Sequence, residues 1–387
     1  MSNNVGDIDF SQSLSGFQVD RRKLTGATSA REQAFCEWFG ENAYRGVGEI
    51  VELGPWLGSL TIPLVKGLSR NSSVADKSSR VHVYDRFVWD ELMENWVAGT
   101  QYVGRIVPEG DFRFLYEDIL QEYRSFLVVN KSDLSTQQWD GKPIEFLLND
   151  ATKNLEVLAN VVRQFFKDLI PQFSHVAHQD YLWFAEAYTP ICMYRLRDCF
   201  TPAYSVPDSC MVLFKNTTAI PRRVLDFQLD YESLTPAEIA DACDWNLSIL
   251  DENSHILIRA GSAWMLFKCG LLTDSRSIFE EIERDSKCLS IRYQFQRKVL
   301  QSFGLEKLLD LPSIPWFFSD RGSLPETIPD TARAIRYWDW ELGWLWTAAE
   351  SYPIFHSDEL EADLEYQLGS INPRIFRNID DGSVIRV

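Results

Sequence analysis

The chain has 387 residues, 45% of them apolar and 24% charged, so it can bury a large core and has length for one big domain or two ordinary ones. A formal net charge of −18 argues against a phosphate-backbone partner and an anionic membrane surface, because both are gripped by clustered Lys and Arg. Seven cysteines never form a CxxC pair, the N-terminus lacks an apolar stretch of signal length, and no run is long enough to span a bilayer. The expectation is a reduced, cytoplasmic globular protein with no nucleic-acid or membrane partner.

In chain order, residues 1–27 are polar, with a small basic cluster at Arg21, Arg22 and Lys23, and read as a flexible arm. Thr28 or Ser29 is placed to cap a helix through Phe39, with Glu32 in its first turn and Phe35, Trp38 and Phe39 as its apolar stripe. Residues 48–64, G-E-I-V-E-L-G-P-W-L-G-S-L-T-I-P-L, then read as a buried strand, a glycine turn and the start of a helix that runs to residue 68. The turn has neither the lysine nor the longer glycine run that a polyanionic cofactor would require. It offers Glu52 at the strand end and Gly54 and Gly58, where backbone can approach a ligand closely, which suits a ligand with a cationic or amino-bearing part.

A second strand begins at Val81 and stops at Asp85, and Phe112, Phe114 and Tyr116 suggest a third, closed by Glu117 and Asp118. Residues 144–148 form a fourth strand ending at Asn149-Asp150, followed by helical spacing over 154–169. Residues 174–177 make a short fifth, ending in His178-Gln179-Asp180-Tyr181. Residues 203–206 and 210–214 flank Pro207-Asp208-Ser209 as a closing antiparallel hairpin. Strands alternating with helices give a doubly wound, mostly parallel α/β sheet, whose ligands belong at the carboxyl ends of its strands. Glu52, Asp85, Asp118, Asp150 and Asp180 all fall there. Any one of them would serve as a helix cap, but five in succession favour a ligand site.

Beyond residue 218 the pattern becomes helical. Thr235-Pro236-Ala237-Glu238 sets a cap, an N1 proline and a capping-box glutamate in register, and further helices are expected over 254–268, 275–303 and 331–350. The division expected is an arm at 1–27, a ligand-binding domain at 28–217 and a helical accessory region at 218–387. Trp316, Phe317, Phe318, Tyr337, Trp338, Trp340, Trp344 and Trp346 read as core or as the seam of a homodimer formed through aromatic helices; a stacking platform for a sugar or flat substrate is the alternative.

The pattern V-E-L-G-x-x-x-G-S-L-T at residues 51–61, the acid closing the second strand and the terminal hairpin resemble the class I S-adenosylmethionine-dependent methyltransferases over roughly residues 28–217. That resemblance implies a Rossmann-like methyltransferase fold with S-adenosyl-L-methionine as cofactor. Glu52, Gly54 and Gly58 would wrap the methionine part, Asp85 would hold the ribose hydroxyls, and Asp118 would lie near the adenine. Trp56, whose bulk would obstruct the pyrophosphate of a dinucleotide, becomes a residue packed under the turn or closing over the cofactor.

The runs F-L-L-N-D-A-T-K and H-Q-D-Y further resemble metal-dependent O-methyltransferases of the catechol and macrocin types. This implies Asp150 and Asp180 as ligands of Mg²⁺, a second cofactor, with Lys153 as the base that takes the acceptor's proton; His178, at the same strand end and of a residue type that titrates near neutrality, is an alternative base. Thr152 and Gln179 stand where the macrocin branch has further aspartates. The expected reaction is methylation of a hydroxyl on a small molecule, glycan or specialised metabolite, with metal-free N-methyl transfer and a non-catalytic cofactor-binding protein as alternatives.

Overall fold

The computed structural model describes residues 28–226 and 230–282, apart from position 208 and all of 91–100 but Met93 and Val97, together with Phe10, Arg284 and five short strands between 318 and 386. The arm expected at 1–27 thus lies outside the described residues, save Phe10, which is buried against Phe35, Trp38 and Tyr204.

The opening helix α1 (Ala30–Trp38) begins as its sequence dictates. Ser29 Oγ accepts the Glu32 backbone N–H at 3.2 Å while Glu32 Oε2 accepts the Ser29 N–H at 2.7 Å, a reciprocal capping box. Then follow β1 (Glu49–Leu53), α2 (Thr61–Arg70), β2 (Val81–Asp85), α3 (Arg113–Ile119), β3 (Leu127–Lys131), β4 (Ile144–Asn149), α4 (Leu155–Phe165), β5 (His175–His178), α5 (Tyr188–Arg195), β6 (Phe200–Ser205) and β7 (Val212–Asn216). The strands form one seven-stranded sheet in the order β3-β2-β1-β4-β5-β7-β6. The first five run parallel and the β6–β7 hairpin enters antiparallel against β5. This is the Rossmann-like methyltransferase fold, with the order reversing between β1 and β4, the place where sheets of this kind have their ligand crevice.

Alternation along the central strands sends side chains to two apolar layers. Ile50, Phe146, Leu148 and Ala177 pack with α1, α2 and α3; Val51, Leu53, Leu147 and Val176 pack with α4 and α5. Helices α6 (Arg222–Leu225), α7 (Pro236–Ile249), α8 (His255–Lys268) and α9 (Leu272–Ile282) follow, and Ile239, Ala242, Leu257 and Phe279 extend the second layer. The boundary expected at residue 217 therefore separates elements that share one core. The α7 cap is the expected one, Thr235 Oγ1 accepting the Glu238 N–H at 3.1 Å with Pro236 at the first helical position.

Two expectations change, and a third is described only in part. Phe112, Phe114 and Tyr116 do not form the third strand: Phe112, Leu115 and Tyr116 are buried while Phe114 is exposed, a helical spacing, and the third strand is Leu127–Lys131. The helix expected over 275–303 is seen as far as Ile282, the rest lying outside the described residues. The stretch 331–350 contains strands, β9 (Ala334–Asp339) and β10 (Gly343–Ala348), paired antiparallel with Trp344 opposite Trp338; with β8 (Phe318–Ser319) they make a three-stranded sheet. Tryptophans two apart, as at 344 and 346, fit a strand period, whereas Tyr337, Trp340 and Trp344, three and four apart, suggest a helical seam. The aromatic helices proposed as a dimer seam are therefore not helices there. A last pair, β11 (Ile375–Arg377) and β12 (Val384–Arg386), is also antiparallel. Among the described residues no helix is long and apolar enough to cross a membrane.

Candidate active site

The carboxyl ends of β1 and β2 bring Glu52, the glycine turn and Asp85 together. Glu52 is 2% exposed, and burial pushes its carboxyl up to about 8 against the lowering effect of the Thr61 hydroxyl; Asp150 and Asp85 add to the rise. Its Oε2 is buried without any hydrogen-bond partner. A carboxylate left in that state is costly unless a donor arrives, and an ammonium group is the donor that would also restore its charge.

The turn that follows requires its glycines. Gly54 has φ +81°, and a Cβ there would stand 2.7 Å from the Asp150 carbonyl oxygen; Gly58 has φ +85° with the Leu120 side chain 2.8 Å from where its Cβ would be. Between them Trp56 adopts φ 43°, a left-handed conformation that a bulky residue holds only when its surroundings impose it. Its indole lies 6.4 Å from that of Trp89, and its Nε1 is buried without an acceptor. Trp56 thus packs at the turn and still carries an unmet donor.

Asp85 ends β2. Its Oδ1 accepts the Phe87 N–H at 2.7 Å. Burial raises its carboxyl, while the backbone N–H groups of Phe87 and Trp56 and the Arg86 guanidinium pull it back down. The Gly54 N–H donates to the Tyr84 carbonyl at 2.9 Å and so ties the glycine turn to the end of β2, beside Asp85. Asp118 is not part of this assembly: it sits on α3 with an exposed side chain, because its segment is a helix rather than the third strand.

The ends of β4 and β5 hold a second group. Lys153 Nζ lies 3.0 Å from Asp150 Oδ1 and 3.0 Å from Glu186 Oε1, and it also pairs with Asp180 Oδ2. The Lys153 side chain is 53% exposed, whereas Asp150, Asp180 and Glu186 are 23%, 21% and 7% exposed, so the lysine covers three recessed carboxylates. Burial works against its charge, but the three acids outweigh it and hold the ammonium well above its usual range. Burial likewise pushes Asp150 up to about 7 despite Lys153, and raises Glu186. Gln179 adds its amide nitrogen at 2.7 Å from Asp180 Oδ1 and 3.1 Å from Asp150 Oδ1 in the orientation its neighbours require.

This geometry does not fit the expected Mg²⁺. Asp150, Asp180 and Glu186 converge on the Lys153 ammonium, which occupies the space a metal ion would need, and among the described residues no group of three or more His, Cys, Asp or Glu side chains stands open to one. Lys153 is a fully charged cation whose three protons face three carboxylates, so in this arrangement it has no lone pair with which to act as a base.

His178 is not at the mouth either. It is 1% exposed, facing the layer of Phe166 and Phe214, and burial drives its imidazole down to about 3. Asn149 Nδ2 donates to its Nδ1 at 3.0 Å, which leaves the neutral ring's proton on Nε2, buried without a partner. The physical reason is register: on a four-residue strand, His178 falls on the face opposite Ala177 and points into the core.

Two residues escaped the sequence reading. Glu186 sits in a short turn (Phe184–Glu186) after β5, where no periodicity marks it. Glu32, read only as a helix-cap acid, is buried; its Oε1 accepts the Ser209 hydroxyl at 2.5 Å, and burial raises it to about 7, with Asp180 and Asp150 adding to the rise. A buried capping box just ahead of the first strand was its only available signal. A small cavity lined by Tyr181, Trp183, Asn246 and Gly261 lies behind this edge and touches none of the five expected acids.

No protein-family model matches the sequence, and no curated protein matches it either. Solved structures do. The O-methyltransferase NovP is similar at 15% identity over 49% of this chain and 81% of that one, with a TM-score of 0.36. Coclaurine N-methyltransferase, bound to N-methylheliamine and SAH, is similar at 12% identity over 66% of this chain and 70% of that one, with a TM-score of 0.28. At such identities and scores neither likeness bears on activity, and the fold rests on the strand order and the antiparallel β7.

Proposed function

We propose that the chain is an S-adenosylmethionine-dependent methyltransferase acting on a small molecule, a glycan or a specialised metabolite. The observation that carries this is Glu52: a buried carboxylate with one unmet oxygen, beside a turn whose two glycines let its backbone pack closely against the Asp150 carbonyl and the Leu120 side chain, at the point where the sheet order reverses. The cofactor's ammonium supplies the missing donor, and the Asp85 carboxylate at the neighbouring strand end takes the ribose hydroxyls. Methyl transfer from a sulfonium is an in-line displacement, so the protein's main task is to position the acceptor against the methyl.

A hydroxyl acceptor remains the first reading. A nitrogen acceptor is the second, and Lys153 favours it: with its ammonium seated between Asp150 and Asp180, neither a metal nor a free lysine stands ready to take a hydroxyl proton, whereas a neutral amine needs only desolvation. Calorimetry with S-adenosylmethionine is the direct test. Binding by the wild-type protein, weakened by roughly tenfold or more in Asp85→Ala with the fold intact by circular dichroism, supports the reading. A folded wild-type protein that binds no S-adenosylmethionine overturns it.

A further inference from the structure

We propose that Lys153 is a tethered cation doing the structural work of a divalent metal, so that this chain holds the ends of β4 and β5 together without one. Asp150 closes β4, Asp180 follows β5, and Glu186 lies in the turn beyond. Three carboxylates on separate stretches of backbone repel one another unless a cation sits among them. The chain supplies that cation from the loop just before α4. Lys153 Nζ is 3.0 Å from Asp150 and 3.0 Å from Glu186 and also pairs with Asp180, one ammonium proton available to each acid.

Local structure fixes the lysine there. The Lys153 N–H donates to the Ala151 carbonyl at 2.8 Å, and the next residue, Asn154, caps α4 by accepting the Val157 N–H at 2.9 Å. The Tyr188 hydroxyl holds the Thr152 carbonyl at 2.6 Å. The loop is therefore tied on both sides of the lysine, which makes Lys153 a positioning residue: it sets where Asp150 and Asp180 stand at the crevice.

The inference rests on the carboxylate geometry of the proposed site and not on the cofactor, so it can be read out without methyl transfer. Mn²⁺ binding to the full chain, followed by electron paramagnetic resonance, compares the wild type with Lys153→Ala, Lys153→Met, Lys153→Arg and the double variant Lys153→Ala/Asp180→Asn. The expected result is no specific Mn²⁺ site in the wild type or Lys153→Arg. Lys153→Ala and Lys153→Met should bind at least about tenfold more tightly, and the double variant should lose that gain. Should either variant be unfolded alone, Mn²⁺ should refold it; no rescue counts against the proposal. Wild-type binding as tight as that of Lys153→Ala, or folded Lys153→Ala and Lys153→Met that both ignore Mn²⁺, overturns it. Failure to bind S-adenosylmethionine would remove the methyltransferase reading and leave this result standing.

Discussion

The two edges of the crevice are built on opposite principles. At the β1–β2 edge, Glu52 Oε2 and Trp56 Nε1 are buried with no partner, and the backbone of the glycine turn is held in left-handed conformations. At the β4–β5 edge the acids are already answered, because Lys153 meets Asp150, Asp180 and Glu186 within the chain, and the buried atoms left without partners there, Asn149 Oδ1 and His178 Nε2, belong to neutral side chains. An unmet buried polar atom raises the energy of the empty state and so strengthens whatever ligand satisfies it. A satisfied cluster holds geometry instead. The contrast separates a half with unmet buried polar atoms from a half whose acids are already paired and which, in the proposed function, shapes the place where the acceptor is met.

Gly54 should show the largest effect. Gly54→Ala forces a Cβ against the Asp150 carbonyl at a φ of +81°, so the two edges would be pushed apart where they touch. A destabilisation on the order of 2–4 kcal/mol in chemical denaturation is expected, together with loss of cofactor binding. A variant with wild-type stability would show that the edges are not packed through this contact.

Glu52→Gln sharpens the comparison with little change of shape. Cofactor affinity should fall about tenfold to a hundredfold, because an amide cannot match a carboxylate for an ammonium. A pH signature accompanies it. The Glu52 carboxyl is raised from 4.5 to about 8 in the folded protein, so its contribution to stability is full below pH 4.5 and is lost as the pH rises toward 8. Thermal melts should show that part of the slope abolished in Glu52→Gln. Near pH 7 the wild-type carboxyl is mostly protonated, so binding a cationic ligand should release a proton, approaching roughly one per site, measurable by calorimetry in buffers of different ionisation enthalpy. No proton release would remove the ammonium from Glu52.

Asp118→Ala should do least. Its carboxylate is exposed on α3, outside both edges, so stability should stay within about 0.5 kcal/mol and cofactor affinity should be unchanged. A clear loss of affinity would return Asp118 to the adenine site from which its helix has removed it.

Much of the framework was legible in the residues. Glu52 and Asp85 end their strands as expected, Ser29 and Thr235 cap their helices, and β6 and β7 form the terminal hairpin. These features are written in neighbouring residues: an apolar run stopped by an acid, a hydroxyl three positions before a glutamate, two strands around a short turn. The third strand was missed because alternating and helical spacing overlap over five residues: Phe112 and Tyr116 satisfy both. The 331–350 segment shows the same ambiguity, since Tyr337, Trp340 and Trp344 suit a helical face while Trp338, Trp340, Trp344 and Trp346 suit one face of strands.

Sequence by itself determined the sheet's alternation of strands and helices, the glycine turn and the acids of the first edge, because each depends on the order of residues within one short stretch. Only the tertiary structure decided what the second edge is made of. Lys153, Asp180 and Glu186 come from separate segments, and their charges count only through distance and burial. Burial also moved His178 from candidate base to neutral core imidazole, and the convergence of three acids set Lys153 where a metal had been expected. Spacing along a chain reports which face a residue occupies; whether that face meets water, carbon or another charge is settled when the segments pack.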